Sequence, residues 1–101
     1  MWLFAMFDLP VTTKKARKAY SNFRKVLISE GFSMLQYSVY ARYCASEARS
    51  EVFKRRLQPL FPPEGQVRLM AVTDHQFGKM EVFSGKKELK PEKKPDQMLF
   101  F

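Results

Sequence analysis

At 101 residues with 46% hydrophobic residues, the chain is long enough for one domain with a single core, and its composition excludes an intrinsically disordered protein. It contains no apolar run near the roughly 20 residues that span a bilayer, no recognisable secretory signal and only one cysteine, so we expect a cytoplasmic protein without membrane contact. Eighteen Lys and Arg against ten Asp and Glu give a formal net charge of +8, which favours a polyanionic partner, nucleic acid first.

The first predicted element is a strand over residues 1–8 with apolar side chains on both faces. Such a strand is usually covered on both sides, which places it in the middle of a sheet. Asp8 follows directly where the apolar run stops, and Leu9-Pro10 ends the strand. Asp8 is therefore either a functional carboxylate held on a rigid element or a turn residue that terminates the strand.

A helix is predicted over residues 14–30, with Thr12 or Thr13 as its N-cap and Gly31 as its C-cap. Apolar residues at spacings of one and three form a single stripe along it. The other faces carry cations with no acidic residue before Glu30, although cations are unfavourable at a helix N-terminus. We expect this basic start of the helix to lie near Asp8. Its first cations are Lys14, Lys15, Arg17 and Lys18.

Residues 33–44 alternate in polarity, which predicts one long strand or a bent pair of strands. We expect the face with Leu35, Tyr37 and Ala41 to be buried and the face with Tyr40 and Arg42 to be more polar. A second helix is predicted from a Ser46 cap to about Leu60.

The last third of the chain predicts a strand over residues 66–74, a turn over 75–79 and a short strand over 80–83. His75 is expected to be a turn residue because it has no partner at metal-ligand spacing. Residues 86–97 are charged and predict an extended basic linker, which separates a domain over 1–85 from an arm over 86–101. The arm ends in four apolar residues that we expect to dock as a short strand on a sister protomer or another partner: Met98, Leu99, Phe100 and Phe101.

The order of elements predicts an α+β fold, a ferredoxin-like βαββαβ sandwich with two helices on one face of an antiparallel sheet and a C-terminal arm with a short terminal strand. Many unrelated functions share this fold, so the fold alone does not decide among them.

Four segments of the chain, in order, resemble CRISPR-associated protein two, the small subunit of the CRISPR adaptation machinery. They are the opening strand that ends in FDLP, then KKARKAYSNFRKVLISEGF, then LQYSVYARYC, and then VRLMAVTDHQFGKM. The last segment and the MLFF ending look most like members from type II systems. The resemblance implies a homodimer, bridging two dimers of the CRISPR integrase in a heterohexamer that holds prespacer duplex DNA. It also implies an endoribonuclease-type phosphodiesterase site in which Asp8 is the catalytic residue and the Mg²⁺ ligand at the dimer two-fold.

Three functions follow as hypotheses. In the first, the chain bridges integrase dimers and holds duplex DNA through the basic helix and Arg42, while the partner performs the chemistry. In the second, which is compatible with the first, the chain is itself a metal-dependent endonuclease on RNA or DNA through Asp8. In the third, it is a single-stranded RNA reader, which is disfavoured because the strand VRLMAVTD lacks the aromatic and glycine residues of an RNA-recognition motif.

Overall fold

The structure, a computed structural model, describes residues 1–95. The described chain contains six strands and three α-helices. They are β1 (Trp2–Asp8), α1 (Lys14–Ser29), β2 (Ser33–Gln36), β3 (Val39–Tyr43), α2 (Glu47–Leu57), β4 (Gln66–Val72), α3 (Asp74–Gly78), β5 (Val82–Ser84) and β6 (Lys87–Leu89). The first six form the predicted α+β, ferredoxin-like βαββαβ unit, which is confirmed.

The main sheet has four strands in the order β2-β3-β1-β4, and every neighbouring pair is antiparallel. β1 lies between β3 and β4, which confirms the central position that its two apolar faces predicted. Its residues Leu3, Ala5 and Phe7 point toward α1 and α2 and form the main core with the apolar sides of both helices. The helical residues buried in this core are Phe23, Leu27, Phe53 and Leu57.

Both long helices begin where their capping residues predicted. The Thr13 hydroxyl accepts a hydrogen bond from the Ala16 N–H at 3.0 Å, and the Ser46 hydroxyl accepts one from the Arg49 N–H at 3.1 Å. α2 ends at Leu57 and continues only as a 3-10 turn over Gln58–Leu60, because Pro59 cannot continue the hydrogen-bond pattern of the helix.

The face of the sheet opposite the two long helices is covered only in part, and we call it the open face. There Trp2 stacks on Phe77 of α3 with ring centroids 4.0 Å apart. α3 occupies the segment predicted as a turn, so that prediction was wrong. Thr73 and Gln76 form a capping box at its start, in which each side chain accepts a hydrogen bond from the backbone N–H of the other residue. These two hydrogen bonds stabilise the five-residue helix.

Of the two alternatives predicted for residues 33–44, the pair of strands is observed, as a hairpin with Tyr37 and Ser38 at its tip. The long helices pack on the face that was predicted to be more polar, whereas Ala41 of the other face is buried as predicted, in the cluster around Trp2 and Phe77. Tyr40 is fully buried beneath the long helices, and its hydroxyl accepts a hydrogen bond from Arg24 Nε at 2.8 Å, which satisfies its polar end. Tyr37 was expected in the buried face but is 87% exposed.

After the ferredoxin-like unit, β5 and β6 pair with each other in a separate two-stranded hairpin. Lys87–Leu89 is therefore a strand where an extended linker was predicted, and the turn of this hairpin falls at the predicted domain boundary. The predicted docking residues Met98, Leu99, Phe100 and Phe101 lie outside the described residues. Within residues 1–95, no helix has the length and apolar character to cross a membrane.

Asp74 fastens both ends of the described chain to α3. The N-terminal amine of Met1 donates a hydrogen bond to Asp74 Oδ1 at 2.6 Å, and Lys94 Nζ lies 3.6 Å from Oδ2. The hydrogen bond from the amine lowers the pKa of the Asp74 carboxyl below its usual value. Asp74, predicted as the last residue of a strand, is thus the first residue of α3 and an ion-pair partner.

Candidate functional site

The candidate carboxylate, Asp8, is the last residue of β1 and is exposed. In the β1–β4 ladder Asp8 lies opposite Gln66, and Met6 lies opposite Arg68. Together with Phe7 these residues line one shallow cleft at the end of the two strands. The cleft therefore combines an acid, an amide and a guanidinium group on a rigid pair of strands.

The alternation of β1 determines the face on which this cleft lies. Leu3, Ala5 and Phe7 point to the helices, so Asp8, at the other parity with Met6, belongs to the open face. α1 packs on the other side of the sheet, but Lys15 lines a pocket with Leu9 and Pro10, so the expected closeness of Asp8 to the basic start of α1 stays a prediction. The cation that shares the cleft with Asp8 is Arg68.

Gly65 fixes the backbone that carries Asp8. It has a φ of +88°, and a β-carbon there would clash with the Asp8 carbonyl oxygen and lie 2.8 Å from Leu9 Cδ2. Both the left-handed backbone and the close approach require glycine. The sequence signal for this residue was its place between the Pro62-Pro63 pair and a strand, but its contact with Asp8 is tertiary.

The tip of the β2–β3 hairpin is fastened to the same strand end. Ser38 has a left-handed backbone with a φ of 63°, which is uncommon for a residue with a side chain. Its carbonyl accepts a hydrogen bond from the Phe7 N–H at 3.0 Å, and its hydroxyl lies 3.2 Å from the Tyr20 hydroxyl. These two contacts hold the hairpin tip against the residue that precedes Asp8. Sequence reasoning did not identify Gly65, Ser38 or Arg68 as site residues.

The predicted basic residues of α1 are all exposed. Within residues 1–95, Lys14, Lys15 and Lys18 form no ion pair. Arg17 differs, since its Nη1 donates a hydrogen bond to the Val11 carbonyl at 3.2 Å and thereby supports the loop before the helix. The three lysines form a compact cationic surface that we call the α1 lysine face.

Arg42, the remaining predicted nucleic-acid-binding residue, is half-buried and held by intramolecular contacts. Its Nη1 donates to the Glu30 carbonyl at 2.6 Å and its Nε to the Tyr43 carbonyl at 3.0 Å. Its guanidinium carbon lies 3.9 Å from the centroid of the Phe53 ring. Arg42 thus caps the carboxyl end of α1, and its contact with nucleic acid stays a prediction.

A metal ion in the Asp8 cleft needs ligands beyond those of one chain. Across the described part of the chain, no three His, Cys, Asp or Glu residues are grouped closely enough to hold a metal ion. Mg²⁺ binds through one or two carboxylates and keeps several waters. The exposed Asp8 of one chain therefore supplies one of the two carboxylates that such a site can use.

A family model described as CRISPR associated protein Cas2 matches residues 1–80. The chain belongs to the Cas2 family. It is 50% identical over 101 residues to a protein from Parvibaculum lavamentivorans named CRISPR-associated endoribonuclease Cas2, with all of both chains covered. Proteins of the same name from Flavobacterium psychrophilum and Ligilactobacillus salivarius are 45% and 44% identical, over 100% and 86% of this chain and 88% and 86% of theirs.

The Cas2 match confirms the family resemblance that the four sequence segments indicated. It covers β1 with Asp8, the α1 lysine face, both hairpin strands and β4 with Arg68. The matched region ends at Met80, before the β5–β6 hairpin begins. Every residue of the Asp8 cleft therefore lies in the part of the chain that is common to the Cas2 family.

Proposed function

We propose that this chain is a CRISPR adaptation subunit that works as a homodimer, holds duplex DNA, and carries a magnesium-dependent phosphodiesterase site at the dimer two-fold. The observation that carries this proposal is the position of Asp8, an exposed carboxylate at the end of the central strand and on the open face of the sheet. Gly65 packs against the Asp8 carbonyl oxygen and Ser38 accepts a hydrogen bond from the preceding Phe7 N–H, so the strand end that carries Asp8 is fixed.

The open face supports association with a second copy. It carries Trp2, Phe4 and Met70, and Met70 is 47% exposed although it lies on a central part of β4. A partly covered apolar face of this kind on a small protein marks an interaction surface. A second copy packed face to face about a two-fold axis would cover it and bring two Asp8 strand ends toward each other.

Two Asp8 carboxylates near one axis would supply the pair of hard oxygen ligands that Mg²⁺ accepts. A bound magnesium ion activates water and stabilises negative charge on a scissile phosphate. Arg68, in the same cleft, is placed to contact a phosphate oxygen and to orient the backbone of the substrate. The names of the relatives, CRISPR-associated endoribonuclease, support RNA as a substrate.

The α1 lysine face lies on the other side of the sheet and remains exposed when the open faces pair. Lysine ammonium groups bind phosphates as point charges and read no bases, so this face suits a duplex of any sequence. A dimer presents two such faces, and an integrase bound at each end would receive the DNA in a fixed position. We propose the CRISPR integrase as the partner on this basis and on the family membership.

Met70→Asp is expected to dissociate the homodimer, because it places a charge in the centre of the apolar open face. We expect the dimer dissociation constant to rise by at least about tenfold, since an unpaired buried charge costs well over the ~1.4 kcal/mol that this factor represents. Sedimentation equilibrium measures it. Met34→Asp is the matched control, because Met34 is also 47% exposed but pairs with Tyr40 on the helical side. Equal dimerisation of the parent and Met70→Asp would contradict the proposed interface.

Replacing Lys14, Lys15 and Lys18 together by glutamine is expected to weaken duplex binding for all sequences alike. Each lost phosphate contact should reduce the slope of log K against log salt by about 0.9, so the triple variant should lose about 2–3 units of slope. Fluorescence anisotropy over a salt series measures both values. Arg17 is left in place because it supports the loop before α1. An unchanged slope would remove the α1 lysine face from the proposal.

A second candidate function is a stand-alone endoribonuclease that needs no integrase. The relatives, which are named CRISPR-associated endoribonuclease, favour it. The two functions differ in spacer integration, which requires this chain only if the chain bridges the integrase.

A further inference from the structure

Three arginines surround one aromatic ring on the helical side of the molecule. The guanidinium carbons of Arg42, Arg56 and Arg49 lie 3.9, 5.4 and 5.6 Å from the centroid of the Phe53 ring. We call these three side chains and the ring the α2 arginine cluster. Positions 49, 53 and 56 of α2 are spaced by four and three, so they share one side of the helix.

The three arginines differ in how many of their guanidinium N–H groups already donate hydrogen bonds within the protein. Arg42 is occupied by the backbone carbonyls of Glu30 and Tyr43. Arg56 uses its Nη2 for Glu30, 3.0 Å from Oε1, and its other N–H groups have no partner within residues 1–95. The side chain of Arg49 is exposed and makes no hydrogen bond or ion pair to any described residue. Arg49 and Arg56 therefore keep outward donors.

The charge of the cluster is not balanced. Within residues 1–95 the three guanidinium groups form one ion pair, between Arg56 and Glu30, whereas the nearby Lys54 is paired with Glu51 at 2.9 Å. Like charges held around one ring repel, and Arg49 near the amino end of α2 is also unfavourable to the helix dipole. Stacking on Phe53 compensates part of this cost through cation–π attraction. A bound anion would remove the rest.

We infer that the α2 arginine cluster is a second phosphate-binding surface for a nucleic acid backbone, with Arg49 and Arg56 as the ligands and Arg42 as a positioning residue. Guanidinium planes restrained by an aromatic ring present a fixed fork of N–H donors, which matches two oxygens of one phosphate. Arg42 is half-buried and contacts the Phe53 ring, and the N–H donors available to a phosphate belong to Arg49 and Arg56.

This surface is separate from the sites proposed above. Glu30 ties it to the carboxyl end of α1, and the 16 residues of that helix place it about 24 Å from the first turn that carries the α1 lysine face. It lies on the helical side of the sheet, away from the Asp8 cleft. The inference therefore goes beyond the proposed function and needs neither Asp8 nor a metal ion.

The deciding experiment compares Arg49→Gln with Arg55→Gln in the full-length protein. Arg55 is its matched control because it is exposed, lies on the same helix and removes the same charge, but points away from Phe53. Binding of a fluorescent duplex is measured by anisotropy over a salt series. For Arg49→Gln we expect an affinity loss of about fivefold near 0.1 M salt and a salt slope reduced by about 0.9. For Arg55→Gln we expect a loss below about twofold and the parental slope.

Two further measurements test a merely structural role. Arg49→Lys keeps the charge but not the fork, so the parental slope with a smaller affinity loss supports the inference. Equal losses for Arg49→Gln and Arg55→Gln, or an unchanged slope, overturn it. Unchanged duplex binding with weakened binding of poly-glutamate also overturns it, because the surface then serves an acidic protein segment. Loss of duplex binding in Arg49→Gln but not in the lysine triple variant would reject the α1 lysine face and leave this inference standing.

Discussion

Asp8→Asn is expected to reduce magnesium-dependent cleavage of RNA or duplex DNA by at least about 100-fold. The substitution keeps the shape of the side chain but removes the charge that holds the metal ion. Metal activation of water and charge stabilisation contribute several kcal/mol to such reactions, and 100-fold corresponds to ~2.7 kcal/mol. Single-turnover cleavage with Mg²⁺, and with a chelator as the blank, measures the effect.

The same variant separates the two candidate functions. We expect it to bind duplex DNA like the parent, because Asp8 lies on the open face and the cationic surfaces lie on the helical side. Spacer integration with the integrase should then survive, as a DNA-holding bridge requires. Loss of integration in an intact dimer would place the chemistry of Asp8 in the main function. Cleavage at the parental rate would show that Asp8 is not the metal ligand.

The fold was predictable from local signals because each element carries its own periodicity and boundaries. The apolar stripe of α1 and the N-caps at Thr13 and Ser46 are local signals, because each lies in the helix that it specifies or directly before it. α3 was missed although Thr73 and Gln76 have the spacing of a capping box. A five-residue helix has too few apolar residues to show a period, so the cap was its only signal.

The site was less predictable because strand alternation gives two faces but does not say which one the helices cover. Leu35, Tyr37 and Ala41 make the more apolar side of their hairpin, yet the helices cover Tyr40. Arg24 makes this possible because its hydrogen bond satisfies the buried tyrosine hydroxyl, and that contact joins residues 16 positions apart in sequence. The face of Asp8, and Arg68 as its neighbour, followed only from the register of β1 and β4.

Gly65→Ala is expected to lower the free energy of unfolding by at least about 2 kcal/mol and to disturb the Asp8 strand end. A left-handed backbone costs a residue with a side chain roughly 1–2 kcal/mol. The added methyl group would also clash with the Asp8 carbonyl oxygen and approach Leu9 Cα to 3.0 Å. These contacts are backbone or lie next to it, so they cannot be relieved by turning a flexible side chain. Urea unfolding followed by circular dichroism measures the loss.

Gly85→Ala separates the two costs of that substitution. Gly85 also has a positive φ, +62°, but a β-carbon added there would meet no described atom within 4 Å beyond its own chain neighbours. We expect this variant to lose only the conformational part, about 1 kcal/mol, and to cleave like the parent. Gly65→Ala should lose cleavage in addition, because relief of the clash must move the backbone that positions Asp8. Equal stability and equal cleavage in the two variants would show that the close approach of Gly65 to Asp8 does not control the site.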